Sequence, residues 1–497
     1  MTAAAPTDIM AAASRWALSS LAVQFAKAVL LLGSQVVLAR LLGPANFGVV
    51  AMCAPVFGLC ALFNDLGLSQ AVIQHPSLSE GDSNNVFWIN LALGCVLALT
   101  LLAAAPFLAN FYSDHRVAEV LAALSLVLVI NSLSLQQVAL MHRRMQSGSI
   151  LLIDIGPVVA NAVVSIAAAR LNYGYWAIVI GQMAHAITAG LLAWTLSPFR
   201  PARPSALART LPLMRFGAHL TGLSLASLAA TGLGPLVIGR LFGAAEVGLF
   251  DRGYKLVSMS STQFLTPLSR IAETSLARLG SDPIRYRQAH QQFSEALILF
   301  LTPGLVCLAL MSDDAVQILY GREWLATAPI VSWFAAASML APAGIAASWL
   351  FVSQGRTQQM LRYGLVGQLL SVAALLLGLP WGSVGAAMAS AIVSIPIQGV
   401  TLWGATRNGP VSLPHFFDML LPIGLSVTVS AAVVFVASHQ LHHFSLHPLI
   451  ALGSGLTAAY SSAVVALCAT GSGRRIIRNA LRAAQLMRAA TLNAKLA

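Results

Sequence analysis

The chain has 497 residues, of which 58% are hydrophobic and 9% charged, with a mean hydropathy of +0.79. An ordinary soluble domain carries about 25% charged residues, so this composition excludes a water-soluble globular protein and points to a polytopic membrane protein. The net charge is +12, but no basic soluble module stands apart from the apolar runs, which argues against nucleic acid as a partner.

Continuous apolar runs of membrane length, without the short alternating segments of a β-barrel, predict an all-α fold. The start, Met1 to Ala13, lacks a basic n-region and an early cleavage site, so the first run is expected to remain as a membrane helix. Six spans open the chain, at 16–39, 47–72, 86–111, 118–141, 150–169 and 174–196. On the first, Ser20, Gln24, Lys27 and Ser34 recur at helical spacing and form a polar stripe. Asp65 follows in Asn64-Asp65-Leu66-Gly67, as either an ion-coupling acid or a turn residue at the interface. Asp154 shares a face with Asn161 and Ser165 on the fifth span, a pattern that suits a cavity wall or helix glue.

A proline-rich break, 197–213, reads as a linker. Six more spans follow, at 214–238, 247–270, 292–311, 327–352, 359–379 and 383–405, and then two at 415–438 and 448–470. Fourteen helices result. The expected organisation is a six-helix lobe over 1–196, the linker, a second lobe over 214–406, two added helices within 407–473 and a basic amphipathic tail over 474–497.

The stretch from Val247 to Leu279 departs from its neighbours. Asp251, Lys255, Ser258, Thr262, Thr266, Ser269 and Glu273 line one helical face, while Leu249, Leu256, Phe264 and Leu268 keep the opposite face apolar. A polar stripe among such hydrophobic helices is expected to face a water-filled cavity. The bland alternative is an Asp251–Lys255 pair at a helix end with serines packing helices.

If each run crosses once from a cytoplasmic N-terminus, twenty basic residues fall on the inner side and five on the outer, namely Arg40, Arg116, Arg170, Arg240 and Arg322. This asymmetry predicts that both termini are cytoplasmic. The five cysteines all lie in apolar runs and read as buried hydrophobes, not as a disulfide framework. A cluster of four histidines, His439 to His447, lacks a neighbouring acid or thiol and reads as a solvated loop. No phosphate-binding loop, nucleophile elbow or metal motif is present, so the chain is expected to be neither an ATPase nor another enzyme and to need no cofactor.

An internal repeat is legible. The segment from Leu38 to Gly48, Leu-Ala-Arg-Leu-Leu-Gly-Pro-Ala-Asn-Phe-Gly, is echoed from Ile238 to Gly248, with Arg40, Leu41, Gly43, Ala45 and Gly48 matched 200 residues on. An even number of spans separates the copies, so the repeat is parallel and a substrate site is expected between the halves.

The segments from Leu38 to Met52 and from Phe63 to Gln74, the latter reading Phe-Asn-Asp-Leu-Gly-Leu-Ser-Gln-Ala-Val-Ile-Gln, resemble the Wzx-type polysaccharide flippases of the multidrug, oligosaccharidyl-lipid and polysaccharide exporter superfamily. The likeness in helix number and duplication covers nearly the whole chain. It implies two six-helix lobes around a central cavity, with alternating access. It also implies an undecaprenyl-diphosphate-linked oligosaccharide as substrate, moved from the cytoplasmic to the periplasmic leaflet of the bacterial inner membrane. Membrane lipids, a polysaccharide polymerase and chain-length or export proteins are the implied partners. A diphosphate needs a hydrated path with cations, and Lys27, Arg252 and Lys255 are the candidates. None is duplicated at the offset of 200. Asp65, Asp154, Asp251, Glu273, Gln24, Ser258 and Thr262 are the candidate ion-coupling or cavity-lining residues. An ion-coupled drug or cation antiporter of the same superfamily is the runner-up, and a membrane glycosyltransferase or polymerase the rival of another class.

Overall fold

The structure, a computed structural model, describes residues 24, 26–75, 78–144, 146–204, 211–407, 409–443, 448–469, 473–475 and 477–478. Its elements are helices, and no strand occurs among the described residues. They run α1 (residues 26–41), α2 Pro44–Asp65, α3 Leu68–Gln74, α4 Glu80–Tyr112, α5 Arg116–Arg143, α6 Ser147–Arg170, α7 Trp176–Leu196 and α8 Leu211–Arg278. Then come α9 Pro283–Leu310, α10 Ser312–Leu319, a 3-10 turn Arg322–Thr327, α11 Ala328–Ser338, α12 Ala341–Ser353, α13 Thr357–Gly378, α14 Gly382–Thr406, α15 Leu413–His443 and α16 Pro448–Ala469.

Among the described residues nine helical runs are long and apolar enough to cross a membrane, and a tenth forms if α11 and α12, bent by 41°, act as one span. The run Thr357–Thr406 contains the hairpin α13–α14 and so supplies two crossings. The all-helical fold is as expected, and fourteen crossings are compatible with it.

Local chemistry sets the helix ends. Ser79 accepts from the Asp82 amide at 3.1 Å while Asp82 Oδ2 accepts from the Ser79 amide at 3.2 Å, a reciprocal capping box that starts α4. Asp282 accepts from the amides of Ile284 and Arg285, with Pro283 in the first turn, and starts α9. In the turn between α4 and α5, Asp114 receives hydrogen bonds from Arg116 Nε and Nη2 at 2.9 and 2.7 Å. That pairing holds its carboxyl below the usual carboxylate range.

Two compact units divide the chain, one spanning Ala22–Asp251 and the other beginning at Arg252. In the first unit the hairpins α4–α5 and α6–α7 pack closely, and α5 also packs on α2 and α7. In the second, α9 packs against α11, α12, α15 and α16 over a core that includes Trp349, Phe351, Tyr286 and Phe416.

The repeat has a physical counterpart inside the first unit. A methyl placed on Gly48 would fall 1.6 Å from the carbonyl oxygen of Ala244, and one on Gly248 would fall 2.0 Å from the carbonyl oxygen of Pro44. Adding 200 to one contact and exchanging partners produces the other. The two copies of the motif therefore cross backbone to backbone, as a small residue at each fourth position permits. Both copies also break where expected: Gly43 is extended ahead of Pro44 at the start of α2, and Gly243 (φ 83°) kinks α8.

Candidate functional site

The first unit joins two residues that the sequence leaves far apart. Lys27 on α1 lies 3.7 Å from Asp154 Oδ1 on α6, and both side chains remain about 30% exposed. The position of Asp154 follows from how α6 meets α7. A methyl on Gly181 of α7 would fall 2.7 Å from Ser165 Cβ, so the two backbones approach closely there. Ser165 is 1% exposed and donates to the carbonyl of Asn161 at 2.6 Å. The face that carries Asp154, Asn161 and Ser165 is thus divided: Asn161 and Ser165 pack the α6–α7 contact, while Asp154, at the other end, reaches a cation.

The stripe on α1 divides similarly. Gln24 is exposed, whereas Ser34 is buried and donates to the carbonyl of Leu31 at 2.9 Å.

On α8, Asp251 and Arg252 are each 7% exposed, and both engage neighbouring groups. At this level the helix is enclosed on several sides, since Leu249, Leu256 and Val257 are buried too. Close packing on α11 is one cause: a methyl on Gly253 would fall 2.8 Å from Ile330 Cγ2, and Tyr254 meets Phe334 edge to face at 5.4 Å. Lys255 and Ser258, half-buried and with partners of their own, continue the stripe. Glu273 is half-buried further along, and the side chain of Thr262 lies outside the described ones. Along the stripe expected to face a water-filled cavity, Asp251 is buried, as is Arg252 next to it, and Lys255, Ser258 and Glu273 are half-buried.

Asp65 ends α2. Leu66 and Gly67 both adopt positive φ (44° and 67°), turning the chain into α3, and Asp65 Oδ1 accepts from the Ser69 amide at 3.1 Å and the Ser69 hydroxyl at 2.5 Å. It is therefore a turn residue that caps a short helix, whatever further part it plays.

Several buried polar groups escaped the sequence reading. Asn64 donates to the Leu128 carbonyl and accepts from Ser132. Asn90, Gln136 and Gln137 are 1% exposed or less, and no hydrogen bond reaches their amide groups among the described residues. In the second unit, Glu295 is 2% exposed and accepts from Gln291 at 2.6 Å, with Arg475 3.8 Å away. Amides and acids inside apolar runs were the available signal. Among the described residues no group of three or more His, Cys, Asp and Glu is placed to hold a metal; of the histidine cluster, His447 and the side chains of His442 and His443 lie outside what is described.

Comparison with known proteins adds four observations. The family described as "Polysaccharide biosynthesis protein" matches residues 37–329. The chain is 22% identical over 362 residues to the lipopolysaccharide biosynthesis protein WzxC of Escherichia coli strain K12, covering 72% of this chain and 74% of that protein. It is 25% identical over 301 residues to the succinoglycan biosynthesis transport protein ExoT of Rhizobium meliloti strain 1021, covering 60% of each. Among solved structures, the lipid II flippase MurJ in an inward closed conformation superposes with a TM-score of 0.73 at 13% identity, covering 89% of this chain and 96% of MurJ, which shows a shared fold.

Proposed function

This chain belongs to the polysaccharide biosynthesis protein family, which matches 59% of its length, and from that premise we propose that it is a flippase. Its cargo is an undecaprenyl-diphosphate-linked oligosaccharide, moved by alternating access from the cytoplasmic to the periplasmic leaflet of a bacterial inner membrane for assembly into exopolysaccharide or O-antigen. The observation that carries the reading is this family match on a chain built of membrane-crossing helices. The names of WzxC and ExoT, which place those relatives in polysaccharide biosynthesis and transport, support it.

A diphosphate cannot cross hydrocarbon unaided, and its charge must be met along the way. Lys27, Arg252 and Lys255 supply cations for it, while Asp154 keeps Lys27 company when no cargo is bound, and Asp251 belongs to the same path. The acids Asp65 and Glu273 and the polar residues Gln24, Ser258 and Thr262 complete the proposed path. The carbohydrate polymerase and chain-length or export proteins act on the cargo afterwards. The chain itself performs transport and no bond-making chemistry. Both termini lie in the cytoplasm, in keeping with twenty basic residues on that side against five on the other.

Two measurements test this. Reporter fusions at Gly148, Ser205 and Ser472 are expected to read cytoplasm, and a periplasmic reading at Ser205 would reverse the orientation. Vesicles containing the purified chain are expected to equilibrate a fluorescent undecaprenyl-diphosphate disaccharide between leaflets; vesicles no faster than protein-free ones would remove the flippase reading.

A further inference from the structure

A cleft of about 300 Å³ opens in the first unit between the α2–α3 corner and α5. Its polar lining includes Asp65, Ser69, Gln70, Asn131, Ser134 and His142, with the buried Asn64 at one end. We propose that this cleft is a subsite for the sugar hydroxyls of the cargo, separate from the cations that meet its diphosphate; the proposal rests on the flippase reading above.

Charge decides first against an anion. The lining holds one carboxylate and no lysine or arginine, so a diphosphate would meet repulsion and find no counter-charge. A purely apolar ligand is also a poor match, because it would desolvate the polar groups without replacing their hydrogen bonds.

Shape decides against a single small cation. Asn131 and His142 are eleven residues apart on one helix, about 16 Å at 1.5 Å per residue, whereas ligands of one metal ion must all lie within about 2.6 Å of it. A molecule with several hydroxyls along its length can use groups so spread.

The groups themselves are prepared for such a ligand. Ser69 holds Asp65 through Oδ1 alone, and no hydrogen bond or ion pair reaches Oδ2 among the described residues. The side chains of Gln70, Asn131 and His142 likewise have no hydrogen bond among the described residues. A carboxylate oxygen, two amides and an imidazole offer both acceptors and donors, which is what hydroxyl groups require. The apolar remainder of the wall, including Leu128, Leu135 and Val138, suits the C–H faces of sugar rings.

Depth places the cleft where a cargo sugar would be. A methyl on Gly94 of α4 would fall 1.8 Å from Ser132 Oγ of α5, which sets the register of the antiparallel hairpin and puts Asn90 level with Gln136. Towards its N-terminus from that level α4 carries Trp88 and the polar residues Asn84 and Asn85, and beyond it the helix turns apolar from Leu91. Trp194 donates from Nε1 to the Leu133 carbonyl at 2.9 Å. Tryptophans and the polar-to-apolar change mark the membrane–water interface, so Asp65 stands near the hydrocarbon boundary and the rest of the cleft extends through the headgroup level. The sugar of a lipid-linked cargo, joined to a diphosphate at that boundary, occupies the same depth.

The test uses the full chain in detergent and native mass spectrometry with two probes, undecaprenyl diphosphate alone and undecaprenyl diphosphate carrying a disaccharide. The wild type is expected to prefer the glycosylated lipid by about tenfold, in line with one or two added hydrogen bonds. Asn131→Ala removes an amide that makes no hydrogen bond among the described residues, and Gln70→Ala alters an exposed side chain, so neither should impair folding. Each is expected to lose most of the preference while binding undecaprenyl diphosphate as well as the wild type does. An unchanged preference in both variants, or a wild type that binds the two lipids equally, overturns the subsite alone. A wild type that retains neither lipid overturns the flippase reading and the subsite with it.

Discussion

The cations proposed for the diphosphate differ in how cleanly they can be tested, and burial explains why. Arg252 is 7% exposed and engages neighbouring groups, and removing a buried charge that its surroundings compensate costs about 3–5 kcal/mol. A loss of transport in Arg252→Gln would therefore be confounded by misfolding. Lys27 and Asp154 are 3.7 Å apart and about 30% exposed, the regime in which a pair contributes about 0–1 kcal/mol. Lys27→Gln should thus leave protein level and thermal stability near wild type while polysaccharide export in a strain lacking the native gene falls at least tenfold. The double variant Lys27→Gln with Asp154→Asn separates the two roles. If Lys27 only neutralises Asp154, export returns; if it meets the diphosphate, export stays low. Continued loss is the expected outcome, and full export by the double variant would assign Lys27 to structure.

At the scale of elements, the crossing of the repeated motifs makes the sharpest demand on sequence. The Cβ of an alanine at position 48 would need space already filled by the Ala244 carbonyl oxygen, 1.6 Å away, and backbone of a packed helix cannot step aside as a flexible side chain can. Gly48→Ala is expected to destabilise by about 1–3 kcal/mol or more, read as a lower melting temperature of the purified protein. Gly33→Ala, where nothing lies within 4 Å, serves as the control and should change little. Equal melting temperatures for the two variants would show that the crossing is looser than it stands here. This contact was half legible. The offset of 200 residues and the glycine at its end could be read from the chain, because repetition is a one-dimensional property. That Gly48 and Gly248 each meet the other copy could not, since it depends on how two distant helices cross. Tertiary pairing also hid the roles of polar residues within spans. Asp154, Asn161 and Ser165 share a face by periodicity, but only the approach of Gly181 distinguishes the packing residues from the one that reaches Lys27. In the same way, periodicity puts Asp251, Lys255 and Ser258 in one stripe, while burial distinguishes Asp251 from the half-buried Lys255 and Ser258.

At the scale of the whole molecule, the chain's last described residues fold back on their own unit. Arg475 lies 3.8 Å from Glu295, and Ile477 packs on the core that includes Tyr286, Leu297 and Trp349. The sequence predicts a basic amphipathic tail over 474–497. Arg475, its side chain 56% exposed, reaches the buried acid, and Arg478, three residues on, is exposed as well. Glu295 is 2% exposed, so taking away Arg475 removes one of the groups that meet a buried carboxylate, which costs more than the same loss at the surface. A chain ending at Thr470 is accordingly expected to melt lower and to accumulate less than the full chain. Neutralising the acid removes the reason for that loss. Glu295→Gln in the shortened chain should recover part of the stability, because a glutamine can still accept from Gln291 and buries no charge, whereas the same change in the full chain should stabilise nothing. If Glu295→Gln has the same effect in both lengths, the two ends are not coupled, and the shortened chain's defect belongs to the lost packing of Ile477 instead.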